Sequence, residues 1–399
     1  MNHTPHTIDE VLSRGVEQVL PSAHGLATLM GKKKITLYLG IDPTGNQLHL
    51  GHSVVLRKLQ QFADLGHNVI LLIGNGTVKI GDPTGKDKTR PMLTEEQIEE
   101  HFKTWKAQAS KVLNFDTIEI RRNGDWLDKL TFPQIVKLLA TTTVQQLLER
   151  DMFQERIKKG LPIFTHELIY PLLQGYDSVV MDVDLEIGGN DQTFNMLVGR
   201  HLQEVMNHRD KFVLSCKLLV GSDGNKMGKS LGNFISLTET PENMFGKLMS
   251  IVDAVIPEYF ELLTDVPSAE IVTIRKQLAD GSVNPMELKK KLAFTITAMF
   301  NGEATAKHAH EFFEKTVQNK EVPEDVYTVF QTDNDPTLLE FISVISGMCK
   351  SNSDARRLIE QGAVEVDGKK VYDPKYILRV VKQPKIKVGK RNFLGLKAK

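Results

Sequence analysis

The chain has 399 residues, 41% of them apolar and 25% charged, and its formal net charge is zero. That mix belongs to a globular chain of two or three domains and excludes intrinsic disorder, collagen-like repeats and a small disulfide scaffold. The two cysteines, Cys216 and Cys349, stand alone without a CxxC or CxxH partner, which removes a structural zinc site and makes a reducing compartment the simpler reading.

The N-terminal stretch MNHTPHTIDEV lacks the basic start and apolar run of a signal peptide. Apolar stretches such as 69–73 fall far short of the roughly 20 residues a membrane-spanning helix needs. The expected location is therefore the cytoplasm. Across the first two hundred residues, short apolar runs alternate with helical patterns. Segments 35–39, 69–74, 117–121, 179–185 and 212–219 are rich in Val, Ile or Leu and bounded by Gly, Asp or Asn, and they predict strands. Segments 52–65, 94–113 and 191–208 predict helices, the second opened by a Thr94/Gln97 capping box. Continuously apolar strands alternating with helices predict a parallel sheet covered on both faces.

After about Asn233 the strands stop. Thr240-Pro241 and Asn284-Pro285 each place a capping residue before a Pro at the first helical position. Helices are expected over 244–252, 269–279, 285–300 and 305–316. Segment 318–336 is polar and reads as a linker, and 337–399 returns to mixed α and β. From Pro336 onward there are 14 Lys and Arg against 6 Asp and Glu, a net +8, so the remaining chain carries a net −8. A basic tail on an acidic body suggests contact with a polyanion such as RNA or DNA, a solvated charged face being the other reading.

Five motifs carry chemistry. In TLYLGIDPTGNQLHLGH, 36–52, a strand runs into a turn and a helix begins near His52. This puts His49 and His52 at a helix N-terminus, where free N–H groups and the helix dipole favour phosphate. Gly51 leaves room for an adenine ring. Surface histidines beside a capped helix would give the same short string. In GSDGNKMGKS, 221–230, a Gly/Asp/Asn loop carries Lys226 and Lys229, which could close on a polyphosphate. An exposed basic loop is the alternative.

The third motif is GDPTGK, 81–86, which does not fit a Walker phosphate loop because only three residues separate its glycines. Asp82 could take an ammonium group, with Lys86 and Arg90 facing phosphates; a plain turn is the alternative. In YPLLQGYD, 170–177, Tyr170, Gln174 and Asp177 fall at i, i+4 and i+7, a polar helix face that should line a pocket. In LEIGGNDQTFN, 185–195, Gly188 and Gly189 permit close approach of a ligand to the backbone, Asp191 could accept from ribose, and Gln192 could reach a carboxylate. A hairpin or helix cap would also account for that string.

The paired strings HLGH and KMGKS resemble the HIGH and KMSKS signatures of class I aminoacyl-tRNA synthetases, with Gly228 in place of Ser. All five motifs in this order resemble the tyrosyl-tRNA synthetase family over nearly the whole chain. The resemblance implies an α/β fold: a Rossmann-like parallel-sheet catalytic domain over 1–233 with a connective insertion at about 124–168. It further implies a small all-α anticodon-side domain over 234–325, a linker over 326–336 and a small α+β RNA-binding domain over 337–399. That last domain resembles the one shared by a ribosomal small-subunit protein and bacterial tyrosyl-tRNA synthetases, with a helix starting at Ser353, a stop at Gly362 and a hairpin turn at Asp367-Gly368.

By the same resemblance, Tyr38 and Asp177 hydrogen-bond the tyrosine hydroxyl, while Asp82, Tyr170 and Gln174 hold its ammonium and Gln192 lies near its carboxylate. Gly189 and Asp191 hold ribose, Asp42 sits between amino acid and nucleotide, and Gly51 and Met227 contact ATP. His49, His52, Lys86, Arg90, Lys226 and Lys229 surround the phosphates. Arg356, Arg357, Lys390 and Arg391 contact RNA. ATP enters as a substrate with Mg²⁺, no organic cofactor or dedicated metal site is expected, and the partners are tyrosine, tRNA and a second copy of the chain, through the apolar segments 135–140 and 144–148. Family members often read LQIGG and DQWGN where this chain has Glu186 and Thr193-Phe194, a departure that bears on the surroundings of the tyrosine ring. The rival readings are a nucleotidylyltransferase of related fold, a tryptophanyl enzyme, and a non-catalytic RNA-binding relative.

Overall fold

The computed structural model of the chain describes residues 6–44, 47–84, 93–228, 231–318, 327–349, 351–389 and 392–399. Among them, no helix is long and apolar enough to cross a membrane. The chain divides into two compact units, one formed by Met1–Thr240 and Lys247–Asn301, the other by Pro241–Gly246 and Gly302–Lys399.

The first unit is built on a six-stranded sheet in the order β1-β6-β5-β2-β3-β4. The strands are β1 (Val16–Leu20), β2 (Thr36–Ile41), β3 (Asn68–Ile73), β4 (Ile118–Arg122), β5 (Leu185–Gly189) and β6 (Phe212–Cys216). The five strands from β2 to β6 run parallel, and β1 pairs antiparallel with β6 at the edge. The parallel strands β2, β3, β5 and β6 are mostly buried, while the edge strand β4, IEIRR, buries only Ile118. Helices α1 (Ile8–Ser13), α2 (Ala23–Lys32), α3 (Leu50–Asp64) and α4 (Glu95–Ala109) fall in the first half of this unit. The Thr94/Gln97 box opens α4, each side chain accepting from the other residue's backbone N–H at 3.3 and 3.0 Å. Between β4 and β5 come α5 (Gly124–Leu127), α6 (Phe132–Leu139), α7 (Val144–Leu148), α8 (Asp151–Lys158) and α9 (Thr165–Met181), and α10 (Thr193–Asn207) connects β5 to β6.

The expected strand at 179–185 is a correction. Val179 and Val180 extend α9, which ends at Asp182 with φ +47°, and β5 begins only at Leu185. An apolar run cannot by itself separate the end of a buried helix from the start of a strand. Strand β1 and, after the sheet, helix α12 were not foreseen. The helices that follow are α11 (Pro241–Leu248), α12 (Ile256–Leu263), α13 (Ser268–Asp280), α14 (Pro285–Asn301) and α15 (Glu303–Phe313), and two of them start at the prolines singled out above.

The second unit carries a five-stranded sheet, β7-β11-β10-β8-β9, from β7 (Thr328–Gln331), β8 (Val364–Val366), β9 (Lys369–Lys370), β10 (Lys385–Val388) and β11 (Asn392–Lys397). Thus part of the polar segment read as a linker is strand β7, paired in parallel with β11. Two helices, α16 (Leu338–Glu340) and α17 (Asn352–Glu360), cover this sheet over a core that includes Phe341, Ile359, Val364 and Ile386. Helix α17 starts one residue before Ser353, capped by Ser351, whose hydroxyl accepts from Asp354 N at 3.2 Å. The hairpin turn falls at Asp367-Gly368, both at positive φ, as a two-residue turn of this type requires.

Candidate active site

In an open parallel sheet, ligands bind beyond the carboxyl ends of the strands where the chain order reverses. Here the reversal flanks β2, between β3 and β5. A cavity of about 280 Å³ lies there, lined by residues that leave β2, β3, β4 and β5 and by one face of α9. Asp42, His52, Asp82, Tyr170, Gln174, Asp177, Gly189, Asp191 and Gln192 all line it. Residues more than a hundred positions apart in sequence thus meet in one place.

The buried end is organised around Asp177. Its two oxygens accept from Asn123 Nδ2 at 3.1 Å and Trp126 Nε1 at 2.8 Å. Burial pushes the Asp177 carboxyl well above the usual carboxylate range, against the pull of those two donors. Asn123 is itself fixed, donating to Thr77 Oγ1 at 3.1 Å and accepting from Gly76 N at 2.8 Å. Neither Asn123 nor Trp126 was foreseen. The signal that could have found them is position, since they follow the carboxyl end of β4.

Further along, Tyr170 donates to Asp42 Oδ2 at 2.9 Å, and Thr77 donates to Asp42 Oδ1 at 2.8 Å. Burial, then Asp42, raises the Tyr170 hydroxyl far above its ordinary pKa. Only glycine fits at position 74, because a Cβ there would lie 2.0 Å from Asp42 Oδ1. Asp82 accepts from Thr84 N and Thr84 Oγ1 at 2.9 and 2.6 Å through one oxygen, and from Gln192 Nε2 at 2.9 Å through the other. Arg150, also unforeseen, donates to Thr84 Oγ1 at 2.7 Å and lies over the ring of Phe194 at 5.0 Å. Phe194, one of the departures in sequence, thus forms part of the support for the Asp82 loop.

At the mouth, His49 caps α3 and its backbone N–H donates to His52 Nδ1 at 3.2 Å. The two rings are 3.8 Å apart, and His52 meets Trp105 edge-on at 5.5 Å. The segment after the second signature folds back on the first, with Leu50 N donating to Ile235 O at 3.0 Å and Leu237 N to Leu48 O at 2.9 Å. A Cβ on Gly51 would come 3.2 Å from Met227 Sδ, so the two signatures touch at a glycine. Lys226 is exposed on its loop and is felt electrostatically by Asp191, whose carboxyl is raised by crowding from the surrounding protein and by Asp82. Asn233 holds this loop, accepting from Gly228 N at 2.9 Å and donating to Asp223 Oδ1 at 2.9 Å.

Tyr38 is fully buried, its hydroxyl is 2.9 Å from Ser178 Oγ, and burial, then the nearby Glu186 and Asp177 carboxyls, raise that hydroxyl far above its ordinary pKa. Its ring packs with Ile70, Leu72, Met181 and Val183. Lys86, Arg90, Lys229, Lys390 and Arg391 lie outside the described residues. Arg356 and Arg357 are exposed on α17 in the second unit, where Arg357 pairs with Asp354 at 3.3 Å.

The cavity therefore offers acceptors to a hydroxyl at its buried end and to an ammonium in its middle, with histidines and a helix N-terminus at its mouth suited to an anion. Residues 30–318 match the family described as tRNA synthetases class I (W and Y), and residues 338–383 match the S4 domain. The chain is 42% identical to a tyrosine–tRNA ligase of Thermotoga maritima, over 98% of this chain and 97% of the relative. It is 41% identical to a tyrosine–tRNA ligase of Aquifex aeolicus, over 98% of each. The fold is similar to that of the tyrosyl-tRNA synthetase of Archaeoglobus fulgidus complexed with L-tyrosine, with a TM-score of 0.61, 21% identity, and coverage of 76% of this chain and 100% of that one.

Proposed function

The chain belongs to the class I tRNA synthetases (W and Y), and from that membership we infer that it joins L-tyrosine to tRNA in two ATP-dependent steps. In the first, the tyrosine carboxylate attacks the α-phosphorus of ATP, forming tyrosyl-adenylate and releasing pyrophosphate. In the second, a ribose hydroxyl at the 3′ end of the tRNA takes the tyrosyl group. The attacking carboxylate is already ionised at neutral pH, so the first step needs alignment and charge stabilisation rather than a general base.

The observation that carries the reading is Asp177, an acceptor held by two donors at the buried end of the cavity, where a phenol hydroxyl would find its partner. Asp82, Tyr170 and Gln174 would receive the ammonium, and Gln192 would lie beside the carboxylate. Asp42 would stand between the amino acid and the nucleotide, and Gly189 and Asp191 would take the ribose. His49, His52, Gly51, Lys226 and Met227 would meet ATP at the mouth, joined by Lys86, Arg90 and Lys229. Mg²⁺ would arrive with ATP as part of that substrate. Tyr38, which lies within electrostatic reach of Asp177, would share the tyrosine hydroxyl with it.

The S4 segment would hold tRNA, with Arg356 and Arg357 on its phosphates. The catalytic and helical domains are proposed with the boundaries 1–233 and 234–325, and the basic domain with a start that takes in strand β7 at Thr328 rather than at 337. A homodimer would form through α6, whose Phe132, Val136 and Leu139 are 77%, 47% and 39% exposed at helical spacing while Leu138 alone in that helix is buried. Sedimentation at micromolar concentration tests this, a monomer overturning it. The cytoplasm, where tRNA and ATP are found, is the proposed compartment.

ATP–pyrophosphate exchange with tyrosine, tryptophan and phenylalanine tests the reaction. Exchange with tyrosine alone is expected. Exchange driven best by tryptophan, or by none of the three, would overturn the reading.

A further inference from the structure

At the wall of the cavity, where Glu186 is one of the lining residues, lies a buried polar cluster that the two-step reaction does not itself employ. Lys211 is fully buried, and its ammonium donates to Ser178 Oγ at 2.7 Å and to the Glu186 carboxylate. Ser178 Oγ also meets the Tyr38 hydroxyl at 2.9 Å. Glu186 is buried on β5, and its other oxygen accepts from Gln174 Nε2 at 3.1 Å. Helix α10 is shaped around the cluster, because a Cβ on Gly199 would lie 2.7 Å from Lys211 Nζ and 2.8 Å from Ser178 Oγ. A buried ion pair is a weak source of net stability, since the loss of hydration offsets the attraction. Its geometry is the better reason for its presence.

We propose that the Lys211–Glu186 pair is a positioning device for the substrate slot, turning the Gln174 amide oxygen toward the cavity. This rests on the reading that Gln174 receives the tyrosine ammonium, and it deepens that reading. A carboxylate only accepts hydrogen bonds, so Gln174 must present its nitrogen to Glu186 and keep its oxygen for a ligand. An ammonium only donates, and the oxygen is what it requires. A neutral group at position 186 would leave the amide free to turn its nitrogen outward, where it repels the same ammonium.

The test is a set of variants, Glu186→Gln, Lys211→Met and the two together, studied in the full-length protein. Melting temperature establishes folding, and exchange kinetics give separate KM values for tyrosine and ATP. The double variant, which leaves no lone buried charge, is expected to raise the KM for tyrosine about tenfold, the order expected when a hydrogen bond to a charged group is lost, with the KM for ATP unchanged. It should also lose most of the preference for tyrosine over 3-(4-hydroxyphenyl)propionate, a competitor without the ammonium. A folded double variant with both KM values and that preference intact would overturn the proposal. If the double variant does not fold, Glu186→Gln alone, which keeps the size of the side chain, is judged by the same tyrosine KM: a rise supports the proposal and no change overturns it. Wild-type protein that fails to exchange with tyrosine would instead sink the reading of function, whereas active wild type with unaltered variants sinks only this inference.

Discussion

Trp126 Nε1 donates to Asp177 Oδ1 at 2.8 Å, joining the turn after the fourth strand to the middle of helix α9. With Asn123 on the other oxygen, the carboxylate is held in one orientation while still facing the cavity. An acceptor fixed in this way rewards a substrate hydroxyl and is left unsatisfied by a ligand without one.

Asp177→Ala should therefore weaken discrimination between tyrosine and phenylalanine more than it weakens ATP binding. The expected fall in the ratio of kcat/KM values is about tenfold to a hundredfold, the range for a hydrogen bond to a charged group. Equal losses for the two amino acids in pyrophosphate exchange would remove Asp177 from hydroxyl recognition.

Arg150 acts on Asp82 at one remove. It holds Thr84, which donates to Asp82, and its own Nη1 has no hydrogen-bond partner among the described residues. Arg150→Met keeps much of the packing on Phe194 but releases the threonine. The KM for tyrosine should rise about tenfold with a smaller change in kcat. A variant with lowered melting temperature and wild-type KM would show that the arginine serves packing only.

Lys58 gives a pH dependence of stability. It is buried on α3, and its ammonium donates to Val11 O at 2.6 Å and Arg14 O at 2.9 Å. Burial pushes it down from 10.5 to about 8. The unfolded chain then binds more protons than the folded one between these two values, so this group's contribution makes stability rise with pH from about 8 to 10.5. Its full effect across that window is about 3 kcal/mol. Urea midpoints of wild type and Lys58→Met at pH 7, 8, 9 and 10 should diverge in slope, the variant lacking this rise. Parallel curves would mean that Lys58 titrates near its ordinary value.

Arg356 and Arg357 separate the two steps. Changing both to Ala should leave tyrosine-dependent pyrophosphate exchange untouched and raise the KM for tRNA in aminoacylation. Each lost phosphate contact should also flatten the salt dependence of tRNA binding by about one unit of slope for duplex regions. An unchanged tRNA KM and salt slope would place the RNA contact elsewhere.

Several features were legible in the sequence because they depend on local order. Strands β2, β3 and β6 follow from short apolar runs and β4 from its two isoleucines, α4 from its Thr94/Gln97 box, and the Asp367-Gly368 turn from the need for positive φ. The spacing of Tyr170, Gln174 and Asp177 marked one helical face, and that face does line the cavity. Strand β1 was not legible, since an edge strand buried on neither face has no strong apolar pattern. The boundary between α9 and β5 was not legible either, because Val179 and Val180 suit both elements.

The sequence alone determined which chemical groups are available and that they recur in a family order. Which of them meet was decided by tertiary structure. Tyr38 on β2 meets Ser178 on α9, 140 positions along the chain, while Asn123 and Trp126, far from any motif, reach Asp177. The reason is that hydrogen-bond partners are set by distances between atoms across packed elements, and a linear pattern holds only the periods of single elements.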